Sequence, residues 1–162
     1  MLKILMKIWN KIKFWCIFGN SKKSKELAQS LIIKNNIKIH TDVSYFIQSK
    51  MKYVSDPLFG IIDIQQDLDY TVKRGWKGDC DDYAVVAYRL LEALAYEPEI
   101  LTLMRKNITK NHVVCIFKID EKIGLIGTEG FEEYENLENL LKKKKAIEHT
   151  KNQITWRWNE WK

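Results

Sequence analysis

The chain has 162 residues, a length that suits one domain with a substantial core. Apolar residues make up 46% and aromatic residues 12% of it, a composition that excludes an intrinsically disordered protein. The net charge of +6 is spread along the sequence, which is compatible with an anionic partner but does not identify one. The cysteines, Cys16, Cys80 and Cys115, are too few and too oddly numbered for a disulfide framework, and no apolar run is long enough to cross a bilayer. We therefore expect a cytoplasmic protein in a reducing compartment.

Residues 1–19 are mostly apolar, with lysines recurring at a spacing of three to four residues. This spacing predicts an amphipathic helix with a basic stripe. A secretory signal peptide is disfavoured because its charges would precede an unbroken apolar stretch. Two interpretations stay open: a helix lying on an anionic membrane surface, which would make the protein membrane-associated, and a first helix packed on its own domain.

Residues 20–162 are interpreted as one domain. A polar loop at residues 19–24 precedes a predicted helix at residues 25–33. Thr41 or Asp42 caps a second predicted helix that reaches residue 51, and residues 64–73 are predicted to form a short helix.

The next stretch places one cysteine at the beginning of a helix. A loop containing two glycines and a tryptophan leads to Asp79, a natural N-cap residue, and Cys80 follows it. Asp81 and Asp82 suit a first helical turn, where free backbone N–H groups favour negative charge. Cys80 is therefore predicted to lie where helix dipoles stabilise a thiolate and lower the cysteine pKa.

Residues 83–96 are almost all apolar, and only Arg89 and Glu92 interrupt them. A helix that is apolar on every side belongs in the protein interior. Pro98 ends this helix, and residues 99–104 are predicted to form a strand.

Residues 111–119 predict a strand that begins with a histidine, His112, and is rich in β-branched residues. Asp120 and Glu121 predict a hairpin turn, so that residues 123–129 return antiparallel to this strand. A nucleophilic cysteine on a helix and a histidine on a distant strand, joined only by the fold, are typical of covalent acyl transfer.

Residues 132–145 are predicted to be mostly helical, and residues 154–161 alternate as an edge strand does. Four lysines at residues 142–145 and three later tryptophans could hold single-stranded nucleic acid. A solvated helix end and an aromatic edge strand explain the same residues, and this simpler explanation disfavours nucleic acid as a partner.

Residues 78–84, followed by a long apolar helix, resemble the nucleophile motif of the transglutaminase-like cysteine peptidases. The His-Val-Val start of the strand at His112 is similar to that superfamily's histidine strand, and the similarity is strongest to its bacterial branch. The resemblance covers residues 53–131. It implies an α+β, papain-like fold: a central buried helix carrying Cys80, packed on an antiparallel β-sheet, with extra N-terminal helices. It also implies a bacterial or phage protein.

The resemblance further implies acyl transfer at amide bonds of a protein or peptide substrate, with Cys80 as nucleophile and His112 as proton shuttle. Peptidase-like or amidase-like hydrolysis is preferred to cross-linking, on the analogy with the bacterial branch. The family places an orienting Asp or Asn on the strand after the histidine, and here that position falls on Gly127 or Thr128. The expected register brings Glu129 opposite His112, so Glu129 is the first substitute, and Thr128 or a backbone carbonyl is the second.

An oxyanion hole would use the backbone N–H of Cys80 and a second donor from the preceding chain. The candidates are Trp76, Gln66 and its neighbour Gln65, and Asp79 is placed among the substrate-side residues.

No cofactor and no metal is expected. The chain has no Cys-x-x-Cys pair for zinc and no calcium-loop spacing after Asp79, and capping explains the aspartates. His40 and His149 are interpreted as surface residues. Two rival functions stay open: a catalytically inactive binding module of the same fold, and a basic protein that binds membrane surfaces or nucleic acid.

Overall fold

The computed structural model describes residues 17–18, 21–55, 65–104, 112–146 and 148–152. The helices among these residues are α1 (Ser21–Asn35), α2 (His40–Lys50), α3 (Leu68–Lys73), α4 (Cys80–Ala93) and α5 (Leu137–Lys143). The strands are β1 (Ile17–Phe18), β2 (Lys52–Tyr53), β3 (Gln65–Gln66), β4 (Lys77–Gly78), β5 (Glu99–Met104), β6 (His112–Ile119), β7 (Lys122–Gly127), β8 (Gly130–Tyr134) and β9 (Glu148–Asn152). None of the helices described is long and apolar enough to cross a membrane.

The main sheet has five antiparallel strands in the order β8-β7-β6-β5-β9. Two further pairs are short and parallel, β1 with β3 and β2 with β4. Strand β4 ends one residue before the N-cap of α4, so the pair β2–β4 fixes the approach to that helix.

Alternating side chains divide the sheet between two apolar clusters. Val113, Cys115 and Phe117 of β6 pack with helices α1, α2 and α4 on one face. Val114 and Ile116 of the same strand pack on the other face, against helix α5. The predicted α+β architecture, with a central helix on an antiparallel sheet and extra helices before it, is confirmed.

Helix α4 is buried along nearly its whole length, which explains its apolar sequence. The charge in its middle, Arg89, is 2% exposed and is neutralised within the fold. Its guanidinium donates to both carboxylate oxygens of Asp67, at 3.0 and 3.1 Å, and to Glu92 and Ser21. This ion pair ties α4 to the N-cap of α3 and to the start of α1.

Several sequence predictions hold, with shifted boundaries. Helices α1 and α2 and strands β5, β6 and β7 lie where they were expected, and Asp120 and Glu121 form the turn between β6 and β7. The short helix predicted at residues 64–73 is confined to α3, because its first residues form β3 instead.

The helix predicted at residues 132–145 was wrong in its first half. The segment Gly127-Thr128-Glu129-Gly130 makes a tight turn, with Gly130 at a φ of 102°, and the chain returns as strand β8 before α5 begins. Of residues 1–19, predicted to be an amphipathic helix, the structure describes only β1, which is a strand. The rest of that segment and the edge strand predicted at residues 154–161 lie outside the described residues.

Candidate active site

Cys80 is the first residue of α4, and a reciprocal capping box holds this end of the helix. The Asp79 side chain accepts from the backbone N–H of Asp81 at 3.3 Å, and the Asp82 side chain accepts from the backbone N–H of Asp79 at 3.2 Å. The expected N-cap at Asp79 and the expected first-turn positions of Asp81 and Asp82 are confirmed. Cys80 is half-buried and lies in the first turn of the helix. The thiolate expected at this position stays a prediction.

Asp82 also fastens the cysteine turn to the strand before α3. Its Oδ1 accepts from the backbone N–H of Gln66 at 2.8 Å, and its Oδ2 accepts from Nε2 of Gln66 at 2.7 Å. Any Cβ at residue 78 would lie 2.3 Å from Oδ2 of Asp82, so only glycine fits there. The sequence could not predict this second attachment of Asp82, because only the three-dimensional fold brings Gln66 to it.

His112 is the first residue of β6, as predicted, and is half-buried. It pairs in register with Leu103 of β5. A Cβ at Gly127 would lie 3.5 Å from Nε2 of His112 and 3.3 Å from Cγ1 of Val114. The imidazole therefore lies beside the end of β7, on the face that Val114 shares.

The elements that begin with Cys80 and His112 pack against each other. Helix α4 covers the face of β6 that carries Val113, and strand alternation directs His112 to the opposite face. A meeting between Sγ and imidazole would therefore occur around the end of β6 and not across the face of the sheet. The pairing of Cys80 with His112 stays a prediction.

The observed register of β6 with β7 is the one on which the choice of Glu129 as third catalytic residue was based. Continued by three residues, the pairing of Cys115 with Ile126 brings His112 opposite Glu129. Strand β7 ends before that point, however, and Glu129 lies in the turn with 76% of its side chain exposed. Its carboxylate accepts from Nζ of Lys144 at 3.2 Å. The orienting role of Glu129 stays a prediction, with Lys144 as a competing partner.

Thr128 lies in the same turn, and its backbone carbonyl accepts from Nε2 of Gln48 at 3.2 Å. Gln48 also donates to the carbonyl of Gly127 at 3.4 Å, so helix α2 braces the turn beside His112. The role suggested for the Thr128 side chain is not tested by these backbone contacts.

The oxyanion candidates differ in their surroundings. Trp76 is half-buried and packs edge-on against Phe46, with ring centroids 5.5 Å apart. Gln66 is fully buried and gives one amide N–H to Asp82, while its Oε1 has no hydrogen-bond partner among the residues that the structure describes. The Gln65 side chain lies outside the described part of the structure. The oxyanion roles of Trp76 and Gln66, and the substrate-side role of Asp79, stay predictions.

One group of potential metal ligands surrounds the cysteine. Ligand atoms of Asp79, Cys80 and Asp81 lie within 4.8 Å of one another. Calcium takes six to eight oxygen ligands, and a thiolate is a poor ligand for it. The two carboxylates alone are therefore a partial set, and one of them already caps α4.

Of the remaining cysteine and histidine side chains, the structure describes those of Cys115 and His40. Cys115 is fully buried, and this burial raises the pKa of its thiol far above the usual range. The interpretation of His40 as a surface residue was wrong: its ring packs among Tyr96, Phe117 and Phe131, and its Nδ1 lies 3.1 Å from the Tyr96 hydroxyl. Cys16 and the His149 side chain are not among the residues described.

A family model described as a transglutaminase-like domain matches residues 22–151, most of the chain. The chain belongs to this family. This match confirms the resemblance inferred from the cysteine and histidine motifs. No curated protein sequence matches the chain.

Solved structures share the fold at low sequence identity. LapG from Legionella pneumophila is 21% identical with a TM-score of 0.50, and the match covers 68% of this chain and 74% of LapG. LapG has also been solved with calcium bound. A protein proposed as a cysteine protease, from Cytophaga hutchinsonii, is 15% identical with a TM-score of 0.51, and the match covers 80% of this chain and 49% of that one.

Proposed function

We propose that the protein catalyses cysteine-dependent acyl transfer at amide bonds, with hydrolysis of a protein or peptide substrate as the main reaction. The observation that carries the proposal is the half-buried Cys80 at the start of α4, inside a reciprocal capping box. The backbone dipoles of the first turn favour the thiolate, which is the nucleophilic form of cysteine.

In the proposed reaction His112 accepts the thiol proton and Sγ of Cys80 attacks the substrate carbonyl carbon. The oxygen of the resulting tetrahedral intermediate takes the negative charge and accepts from the backbone N–H of Cys80. Collapse of the intermediate breaks the C–N bond, and the imidazolium gives its proton to the departing amine. Water, deprotonated by His112, then attacks the thioester, which releases the carboxylic acid and the free thiol.

Hydrolysis is favoured over transfer to an amine because a structural neighbour of this chain is itself proposed as a cysteine protease. This preference is an analogy at the level of fold. Glu129, the first candidate for the third catalytic position, is exposed and paired with Lys144. Loss of the orienting carboxylate from a Ser-His-Asp triad lowers its rate by about 10⁴-fold.

The rival proposal, an inactive binding module, is favoured by the exposure of Glu129 and its pairing with Lys144. Mass spectrometry of a diverse peptide mixture incubated with the protein separates the two. We expect new peptide ends with the wild type and with Cys115→Ala, and none with Cys80→Ala. Cleavage that persists in Cys80→Ala, or peptides that bind without being cleaved, would overturn the hydrolytic proposal. Added cadaverine that appears in the products would redirect it to amine transfer.

Calcium is a candidate modulator of this site. LapG has been solved with calcium bound, and in this chain Asp79 and Asp81 supply two carboxylates beside Cys80. The reaction proposed here has no step that needs the ion. Isothermal titration with calcium, comparing the wild type with Asp81→Asn, measures whether this chain binds it. A calcium affinity that Asp81→Asn leaves unchanged would exclude these carboxylates as the site.

A further inference from the structure

Two exposed lysines lie side by side on the parallel strand pair β2–β4, of which β4 leads into Cys80. Lys52 of β2 and Lys77 of β4 are direct partners in a parallel pair. The pairing is fixed by backbone bonds from Lys52 N to the Trp76 carbonyl at 2.8 Å and from Val54 N to the Gly78 carbonyl at 2.9 Å. The backbone positions of both lysines are thus fixed relative to each other, and Lys77 is three residues before the cysteine.

The surroundings of this pair are also basic. Lys50, the last residue of α2, and Arg74, directly after α3, are also exposed. Within the part of the chain that the structure describes, none of these four side chains forms an ion pair. We call Lys50, Lys52, Arg74 and Lys77 the basic strand patch.

The acidic residues of the same region do not neutralise the basic strand patch. Asp81 and Asp82 are 5% and 0% exposed and lie in the first turn of α4. Asp69 is buried and pairs with Lys73 at 3.4 Å. Asp79 is half-buried and accepts from the backbone N–H of Asp81. The exposed charges on the pair β2–β4 are therefore positive, and unpaired surface charges attract groups of opposite sign.

Two apolar side chains extend this surface. Tyr53 is 60% exposed and Val54 is 43% exposed, and both are large hydrophobic side chains. The Tyr53 ring lies 6.4 Å from the ring of Tyr83 on α4, and Tyr53 pairs in register with Gly78. An apolar contact area therefore adjoins the basic strand patch, within reach of a chain bound at Cys80.

We propose that the basic strand patch, together with Tyr53 and Val54, is the substrate-docking surface, and that it selects an acidic polypeptide segment with an apolar side chain near the amide to be attacked. The inference rests on the proposed function, because an amide at Cys80 is what makes the occupant a polypeptide. Charge complementarity selects acidic residues, and the exposed aromatic and branched side chains select the apolar neighbour.

Binding can be measured without catalysis by using the Cys80→Ala protein and fluorescence anisotropy. The probes are three labelled peptides of one apolar sequence whose flanking positions carry Glu, Gln or Lys. We expect the Glu peptide to bind tightest and to weaken with added salt. In the double variant Lys52→Glu/Lys77→Glu, binding of the Glu peptide should fall about tenfold. Tyr53→Ser should weaken all three peptides to a similar degree.

The control is Lys34→Glu/Lys118→Glu, which changes the net charge equally at exposed sites on α1 and β6. An equal loss in this control would overturn the proposal, because the effect would then come from net charge alone. So would equal binding of the three peptides. Tighter binding to phosphatidylserine vesicles or to an oligonucleotide than to the Glu peptide, lost in Lys52→Glu/Lys77→Glu, would assign the surface to lipid or nucleic acid instead.

A turnover assay keeps this proposal separate from the proposed function. If Cys80 cleaves peptides, the double lysine variant should raise KM for the Glu peptide about tenfold and leave kcat nearly unchanged. Cleavage with no charge preference would overturn the docking surface and leave the catalytic proposal standing. Selective binding of the Glu peptide without any cleavage would overturn the catalytic proposal and leave the docking surface standing.

Discussion

The carboxylate of Asp82 accepts hydrogen bonds from both the backbone N–H and the side-chain amide of Gln66, at 2.8 and 2.7 Å. Both residues are completely buried. Because Asp82 also accepts from the backbone N–H of Asp79, a single carboxylate connects strand β3 to the turn that presents Cys80. The position of the nucleophile thus depends on a residue two places along its own helix and on a segment fourteen residues before it.

Asp82→Asn tests this connection. Asparagine keeps the shape but replaces one acceptor oxygen by a donor, so at least one of the three N–H groups loses its partner. We expect a loss of about 1–3 kcal/mol in the free energy of unfolding, measured with urea. The rate of Cys80 alkylation should fall as well. Asp120→Asn, in an exposed turn, is the matched control, and equal behaviour of the two variants would contradict the role given to Asp82.

Gly127→Asp tests the geometry around His112. Gly127 does not have a positive φ, and a Cβ there points at Nε2 of His112 from 3.5 Å, so a carboxylate at this position would come within hydrogen-bonding reach. We expect the pKa of the His112 imidazole to rise by about one to three units, as NMR titration can measure, and turnover of a cleaved peptide to increase.

Gly127→Ala is the control, because it adds the Cβ, 3.3 Å from Cγ1 of Val114, without the charge. Its effect should be limited to stability, at a cost of about 1 kcal/mol. An imidazole pKa that rises equally in Gly127→Ala, or that does not respond to Gly127→Asp, would show that residue 127 does not face the imidazole.

Arg89→Leu removes the cation from a buried ion pair and leaves the carboxylate of Asp67 uncompensated in the core. We expect a loss of about 3–5 kcal/mol in the free energy of unfolding. Arg89→Lys should lie between this variant and the wild type, because an ammonium cannot bind both oxygens of Asp67 as the guanidinium does. Arg74→Leu, at an exposed site, should cost little, and similar losses at residues 74 and 89 would contradict the buried arrangement.

Asp42 gives the stability a defined pH dependence. The backbone N–H groups of Lys38 and Ile39 donate to its Oδ2 at 2.9 and 3.1 Å and lower the pKa of its carboxyl. A carboxyl with a depressed pKa stabilises the fold fully above the pKa of the unfolded chain, about 3.8, and loses this contribution as the pH falls through the folded-state value.

We therefore expect Asp42→Asn to be less stable than the wild type at neutral pH, with a difference that shrinks as the pH falls below about 4. Urea denaturation at a series of pH values measures it. A difference that stays constant across the series would mean that the Asp42 charge does not contribute.

The elements that sequence patterns could predict are those with a strong local cause. Helix α4 is predicted by the cap at Asp79 and the apolar run after it, and strand β6 is predicted by its β-branched residues. Strand β8 was not predicted, because the charged residues after Gly130 were interpreted as the start of a helix. The turn between Gly127 and Gly130 has only two residues between its paired ends. The strand forms because this segment pairs with β7, a contact that local sequence does not reveal.

The candidate site divides in the same way. Cys80 and the start of β6 at His112 could be predicted because each depends on its own neighbours in the chain. The partners of Gln66 and Glu129 could not be predicted, because they depend on how distant segments meet. Gln66 donates to Asp82, and Glu129 accepts from Lys144. The aromatic surroundings of His40 were missed for the same reason, since Phe117 and Phe131 reach it only through the sheet.

The most direct test of the central claim is the rate of iodoacetamide labelling at mildly acidic pH, with peptide mapping, in the wild type and in His112→Ala. Cys115 is an internal control, because burial raises the pKa of its thiol. We expect selective and rapid alkylation of Cys80 that slows markedly in His112→Ala. Alkylation of Cys80 no faster than that of Cys115, or equally fast without His112, would contradict a thiolate–imidazole pair in this protein.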